Sequence, residues 1–228
     1  MFNHRPNSLN AGSLWGRPFY ILREAWNILN AIAEGKIESG DEKKLNALKG
    51  ETMAVIALCQ FDLTRCFGYP YTKDNGASLG APLIDHLVGT YENPSRSTVA
   101  QAYDFIIETL EEAVTLMSEE KNNGRMNKYA ARALLARVYL YHSDNRKAFD
   151  MAEQLIKDVD ASGSYALYPH EKYVAAWSVE TKFGSESFFE IANSVDDTPG
   201  RDSWGYLLEL VWLSEGICHS EICGADAG

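Results

Sequence analysis

The sequence predicts a mainly α-helical fold, a stack of helix pairs with long irregular loops and a little β structure. Two observations lead to this fold class. Apolar residues recur at spacings of three and four in five segments, which is the period of one face of a helix. The segments are separated by polar turns rich in Gly, Pro, Asn and Asp, and Asn127 and Thr98 stand where N-caps are expected.

The first two helices are expected at residues 18–34 and 41–67. Proline suits a first helical turn, so Pro18 is taken as the start of the first. Glycine followed by proline, at Gly68 and Pro70, ends the second. Cys59 and Cys66, seven residues apart on it, are expected to share its buried side.

Three further helices and one strand follow a long loop. Residues 69–96 have no sustained period, and long loops in compact domains are often functional. A third helix is expected from Thr98, which forms a capping box with Gln101. A fourth follows Asn127, and a fifth follows the turn at residues 142–145. The short apolar run Ser185–Ser194 is expected to be a strand.

The fourth and fifth helices have the offsets of a tetratricopeptide repeat. Leu135, Ala136 and Tyr139 fit the first helix of such a pair, and Ala148 fits the second. Alanine lets two helices cross closely, while the tyrosine fills the groove beside them. The sequence therefore predicts a tetratricopeptide-like stack, a rigid scaffold that performs no chemistry of its own.

The length and the net charge of the chain limit its domain organisation and its binding partners. The chain has 228 residues, 46% of them apolar, and a net charge of −11. We expect a single domain over residues 1–228, with a helical region at 18–160 and an irregular, truncated region at 161–228. An acidic chain is repelled by phosphate backbones, so no nucleic-acid partner is expected. No signal peptide is recognisable at the start, so the chain is either cytoplasmic or a trimmed piece of an exported protein.

No catalytic or metal-binding motif is recognised. The five histidines are not paired at helical spacing, and no GxSxG, P-loop or GxGxxG pattern occurs. Cys218 and Cys223 match no standard zinc spacing. We therefore expect no enzyme activity, no catalytic residue, no metal and no cofactor.

Aromatic residues in or near the loops are the candidate ligand contacts. Aromatic rings can stack on the apolar faces of sugars while neighbouring polar groups bond the hydroxyls. The candidate binding residues are Trp15, Tyr71, Trp204 and Tyr206. The competing interpretation is that such rings anchor the loops on the core.

Several blocks in order carry a family resemblance. "GETMAVIALCQFDLTRCFGYPY", "GASLGAPLI", "TVAQAYDFIIETLEEAVTLM", "GRMNKYAARALLARVYLY" and "SESFFEIANS" resemble the SusD/RagB family of surface nutrient-binding lipoproteins of Bacteroidetes. The resemblance covers roughly residues 15–206. It implies a tetratricopeptide-like fold, non-catalytic capture of an oligosaccharide or other nutrient at the outer membrane, and partnership with a SusC-like TonB-dependent transporter.

The chain departs from this family at its ends. Family members carry a lipoprotein signal with an acylated cysteine, so membrane attachment is expected only through a lipid anchor absent from this chain. Ligand contacts vary within the family, and no site residue is carried over. The alternative function is a tetratricopeptide-type protein–protein adaptor, which would line a concave helix face with polar and basic residues.

Overall fold

The structure is a computed structural model that describes residues 9–37, 40–176 and 182–192. Helices dominate it, and a two-stranded sheet lies between the second and third long helices. In chain order the elements are α1 (Leu9–Ala33), α2 (Glu42–Phe67), a 3₁₀ turn (Tyr71–Lys73), β1 (Leu79–Pro82), β2 (Arg96–Thr98), α3 (Val99–Leu116), α4 (Lys128–Tyr141), α5 (Asn145–Ser162), a second 3₁₀ turn (His170–Lys172) and α6 (Tyr173–Ala176). The predicted mainly α fold class is confirmed.

Polar caps fix the starts of the four helices α2 to α5. The Asp41 carboxylate accepts from the backbone N–H groups of Lys43 and Lys44. Thr98 and Gln101 form the predicted capping box, and Asn127 accepts from the Ala130 N–H. Each cap satisfies N–H groups that have no partner within the helix. These starts therefore lie where the sequence predicted them.

The largest apolar cluster lies where α2, α3 and α4 pack together. Its members lie on one face of each helix, which removes them from water. It includes Ala54, Ala57, Phe61, Ile106, Leu110, Ala113, Leu135 and Val138, none more than 1% exposed. A second cluster joins α1 to α2 and β1 through Leu22, Ala25, Ile56, Cys59, Leu63, Ala81 and Ile84. This second cluster positions the groove described below.

Helices α4 and α5 pack against each other, as expected for a tetratricopeptide-like pair. Leu135, Tyr139 and Ala148 are buried, and Ala136 is half-buried. The Arg132 guanidinium bonds to the Asp158 carboxylate at 2.6 Å across the pair. That hydrogen bond holds the pKa of Asp158 below its ordinary value. Tyr139 donates to Glu111 at 2.5 Å and so links the pair to α3.

The first helix begins earlier than predicted. It starts at Leu9, and Pro18 lies inside it. Proline in a helix interior removes one backbone hydrogen bond but does not forbid the preceding turn. That turn is held by Trp15, whose ring packs edge-on against Phe19 and Phe67 at centroid distances of 5.0 and 4.7 Å. The interpretation of Trp15 as a loop residue was therefore wrong.

The predicted strand at Ser185–Ser194 does not form over the described residues 185–192, which make turns and bends. Residues 193 and 194 lie outside the described part. Side chains anchor this segment instead. The Phe188 ring packs on Tyr165 at 4.9 Å, and the Lys121 ammonium donates to the Gly184 carbonyl at 2.8 Å.

The small sheet lies within and just after the segment predicted as a loop. Strands β1 and β2 are antiparallel, with Leu79 opposite Thr98 and Pro82 opposite Arg96. The Arg96 side chain donates to the Gly80 carbonyl at 2.6 Å, which fastens the pair. The predicted β content is therefore present, but at a different place in the chain.

The two cysteines of α2 differ in burial, although the helix period places them on the same side. Cys59 is buried and Cys66 is exposed. A seven-residue step rotates a straight helix by about 20°, and Cys66 also lies in the last turn, two residues after the buried Thr64. The expectation that Cys66 is buried was therefore wrong, because the core that covers Cys59 does not extend to the end of α2.

Candidate functional site

An apolar groove lies between the N-terminal half of α1 and the segment after β1. Its volume is about 410 Å³. Its lining is mainly aromatic and aliphatic, with two cationic side chains, and consists of Trp15, Phe19, Arg23, Pro82, Ile84, His86, Val88 and Pro94. We call it the Trp15 groove.

Buried amide and indole groups hold the wall of the groove opposite α1. The Gln60 side chain, which is fully buried, donates to the Pro82 carbonyl at 3.1 Å and accepts from the Ile84 N–H at 3.3 Å. The Trp26 indole N–H donates to the Ile84 carbonyl at 3.1 Å. These bonds satisfy backbone groups of an irregular segment at its point of burial. They fix Ile84, a lining residue, against α1 and α2.

Trp15 supplies the aromatic surface of the groove. Its side chain is 38% exposed, although its ring has two edge-on aromatic neighbours. T-shaped contacts restrain a ring, and the exposed fraction shows that part of the Trp15 side chain remains open to a ligand. The structure therefore presents an oriented indole at the groove, and a ligand that stacks on it would not have to order it first.

His86, which lines the groove in the 82–94 segment, is hydrogen-bonded through both ring nitrogens, and we call this group of Asp85, His86 and Glu92 the His86 clamp. The Nδ1 of His86 lies 2.6 Å from the Asp85 carboxylate, and its Nε2 lies 2.7 Å from Glu92. The hydrogen bonds to Asp85 and then to Glu92 raise the pKa of His86 above its ordinary value. Glu92 also accepts from the Gly89 N–H, which with the His86 bond lowers the pKa of Glu92. The imidazole thus ties together two ends of one loop.

The two candidate binding residues that the structure describes, Trp15 and Tyr71, do not line the same groove. Tyr71 is half-buried in the first 3₁₀ turn, where its ring packs against Tyr103 at 5.7 Å and His142 at 4.3 Å. It is not among the residues that line the Trp15 groove. Trp204 and Tyr206 lie outside the described residues. Ligand contact by any of the four stays a prediction.

Most of the groove has no signal in the sequence. His86 and Val88 belong to the long loop at residues 69–96, whose length indicates a function but not which side chains make contacts, and Phe19 lies within a predicted helix. The groove depends on contacts between residues about sixty positions apart, such as Trp26 with Ile84. A single sequence has no local pattern that records such a contact.

A larger and more polar groove lies between the start of α2 and residues 117–127. Its volume is about 570 Å³, and no aromatic ring occurs among the described residues that line it. An ion pair between Glu51 and Arg125 crosses it, and the Met126 N–H also donates to Glu51. Over the part of the chain that the structure describes, this groove therefore lacks the aromatic surface on which a ligand could stack, which the Trp15 groove has.

The described residues contain no cluster of three or more His, Cys, Asp or Glu side chains placed to hold a metal ion. None of the helices over the described ranges combines the length and the apolar character needed to cross a bilayer. The Trp15 groove offers a ligand aromatic and aliphatic walls for packing and polar groups at its rim for hydrogen bonds.

Comparison with known proteins identifies the family. Residues 4–140 match a SusD-like family model described as "Starch-binding associating with outer membrane". No curated protein matches the chain.

Solved structures agree with the family match. A SusD superfamily protein from Bacteroides vulgatus ATCC 8482 is 96% identical, with a TM-score of 0.86 over 91% of this chain and 47% of its own. A SusD superfamily protein from Bacteroides thetaiotaomicron VPI-5482 is 39% identical, with a TM-score of 0.75 over 80% of this chain and 39% of its own. A SusD-like carbohydrate binding protein from Bacteroides vulgatus ATCC 8482, at 23% identity, shares the fold with a TM-score of 0.68 over 81% of this chain and 38% of its own. The chain thus spans less than half the length of these solved relatives.

The family match covers more than half of the chain, and the helix stack described above agrees with it. The chain belongs to the SusD-like family.

Proposed function

We propose that the chain binds an oligosaccharide in the Trp15 groove, without catalysis, and that the whole protein does so at the outer membrane. The observation that carries the proposal is an exposed, restrained indole at an apolar groove in a chain whose family model describes starch binding. The family description supplies the ligand class, and the groove supplies a place where such a ligand can stack.

The chemistry of the groove suits a sugar ring. One face of many pyranose rings is a patch of C–H groups that packs on an aromatic ring, while the hydroxyls at the ring edge need polar partners. Trp15 and Phe19 supply the apolar side, and the Arg23 and His86 side chains supply polar groups at the rim. Sites of this kind are apolar surfaces with a few placed polar groups.

We propose further that the whole protein works as the surface partner of a SusC-like TonB-dependent transporter. The phrase "associating with outer membrane" in the family description supports this location. Co-purification of the full-length protein with a transporter of this class from outer membranes tests the partnership. Recovery of the protein free of any such transporter would count against it.

No Asp or Glu occurs among the described residues that line the Trp15 groove, which supports the non-catalytic proposal. A hydrolase needs a protonated carboxylic acid near neutral pH, so its pKa must be raised. The pKa of Glu92 is lowered instead, by the Gly89 N–H and His86. We expect no new reducing ends when a bound oligosaccharide is incubated with the chain, and their appearance would contradict the non-catalytic proposal.

Isothermal titration calorimetry tests the binding site. The full chain is titrated with a panel of oligosaccharides, and Trp15→Ala is compared with Phe149→Ala, a loss of exposed ring surface on α5, where Phe149 is 59% exposed. We expect Trp15→Ala to weaken binding at least tenfold, since burial of a large apolar side chain contributes about 1.5–3 kcal/mol, and Phe149→Ala to leave it unchanged. Equal affinities for the two variants would contradict the site.

A further inference from the structure

The charges around the Trp15 groove are already paired. Both cations that line it have carboxylate partners: Arg23 bonds Glu24 at 2.8 Å, and His86 lies between Asp85 and Glu92 at 2.6 and 2.7 Å. Three carboxylates therefore surround two cations. One negative charge remains when His86 is protonated, and two remain when it is neutral.

A charged sugar would meet an unfavourable field in this groove. A carboxylate or sulfate group on the ligand would have to compete with Glu24 for Arg23, or with two carboxylates for His86. The surplus charge repels an anion, and the net charge of −11 over the whole chain acts in the same direction. A neutral hydroxyl has no such penalty, because it can share these carboxylate and cation groups as hydrogen-bond partners.

We infer that the Trp15 groove selects uncharged oligosaccharides and rejects those that carry carboxylate or sulfate groups. This inference rests on the proposed function and adds the chemical class of the ligand. The selecting groups are Asp85, Glu92 and Glu24, which leave no unpaired cation among the described residues that line the groove.

Matched ligand pairs test the selection. Each pair consists of a neutral oligosaccharide, built from glucose, mannose or galactose, and the same molecule with its C6 hydroxymethyl groups oxidised to carboxylates. Calorimetry with the full chain at low ionic strength and pH 7 should give at least about fivefold weaker binding for the acidic member. This gap in affinity between the neutral and the acidic member should narrow in about 0.5 M NaCl, where charges are screened.

The outcomes separate the two proposals. Binding of the acidic member as tightly as, or more tightly than, the neutral one, lost in Trp15→Ala, would overturn the selection while leaving the groove as a sugar site. Absence of binding by both members of every pair would overturn the proposed function, and the inference with it.

A charge variant tests which groups select. In the double variant Asp85→Asn and Glu92→Gln each amide can still bond a ring nitrogen of His86, one accepting through its oxygen and the other donating through its NH2 group, but two negative charges are lost. We expect the ratio of the acidic ligand's Kd to the neutral ligand's Kd to fall several-fold in this variant, because the charges that repel the acidic ligand are gone. Glu153→Gln, on α5 and away from the groove, removes one charge and should leave the gap unchanged. A gap that stays the same in the double variant would overturn the assignment.

Discussion

At the scale of single residues, Gly50 shows how closely two helices of the scaffold approach. A Cβ at this position would stand 2.7 Å from the Met117 Cγ and 2.9 Å from the Ala113 carbonyl oxygen. The Met117 side chain can rotate away, but the carbonyl belongs to the backbone of α3. The missing Cβ therefore lets α2 lie directly against the end of α3.

Replacing Gly50 tests this contact. We expect Gly50→Ala to lower the free energy of unfolding by about 1–2 kcal/mol, because overpacking outweighs the better helix propensity of alanine. Gly16→Ala on α1 is the matched control, since a Cβ there has no atom within 4 Å, and it should stabilise by about 0.5–1 kcal/mol. Denaturant unfolding measures both. A Gly50→Ala protein as stable as the parent would contradict the close approach.

The His86 clamp predicts a pH dependence. The pKa of His86 is raised in the folded state. Its contribution to the free energy of unfolding is therefore fully present below the ordinary value of 6.5 and is lost as pH rises through the folded pKa. The pKa of Glu92 is lowered, so its contribution to the free energy of unfolding is fully present above the ordinary value of 4.5 and is lost as pH falls through the folded pKa. The clamp is therefore complete at least between pH 4.5 and 6.5.

An NMR titration of the His86 ring checks the clamp. We expect a midpoint above 6.5 that falls in Asp85→Asn and falls less in Glu92→Gln, in the order of the two causes. Glu120→Gln, a carboxylate in the segment between α3 and α4, should leave it unchanged. An unshifted midpoint in both clamp variants would show that His86 is not held by these carboxylates.

At the scale of elements, α4 has a buried face and an exposed face that its sequence period predicts. Leu135 is 1% exposed in the main cluster, and Leu140 is 57% exposed. The two leucines lie five residues apart, which places them on different sides of the helix. The same residue type thus serves two environments within one helix.

This pair gives a matched test of the scaffold. Leu135→Ala should destabilise the chain by about 2–5 kcal/mol because it leaves a cavity among packed helices. Leu140→Ala should change stability by no more than about 0.5 kcal/mol. Thermal or urea unfolding of both variants measures the difference. Equal losses of stability in the two variants would contradict the assignment of the Leu135 face of α4 to the core.

Elements whose ends are encoded locally could be predicted, and the others could not. Thr98 with Gln101, and Asn127, cap α3 and α4 through side chains a few residues away, so a short stretch of sequence contains the signal. The start of α1 was wrong because Trp15 is held by Phe67, a residue about fifty positions away. The prediction of a strand at 185–192 was wrong for the same reason, since Tyr165 and Lys121, which are distant in sequence, anchor this segment.

At the scale of the whole molecule, the Trp15 groove is a product of tertiary contacts. Gln60 on α2 fixes Pro82 and Ile84, and Trp26 on α1 fixes Ile84 from the other side. The family resemblance predicted the fold and a binding function, and the comparisons confirmed the fold. It could not predict a groove whose walls come from two distant parts of the chain, residues 15–23 and 82–94, so Trp15 was the one lining residue predicted as a contact.

A helical scaffold holds one restrained indole, and we propose that a neutral sugar binds there. The decisive measurement is a crystal structure of the chain with a bound neutral oligosaccharide. We expect a sugar ring stacked on the Trp15 indole, with its hydroxyls bonded at the Arg23 and His86 rim. A well-ordered sugar bound elsewhere, with the Trp15 groove filled only by solvent, would contradict the proposal.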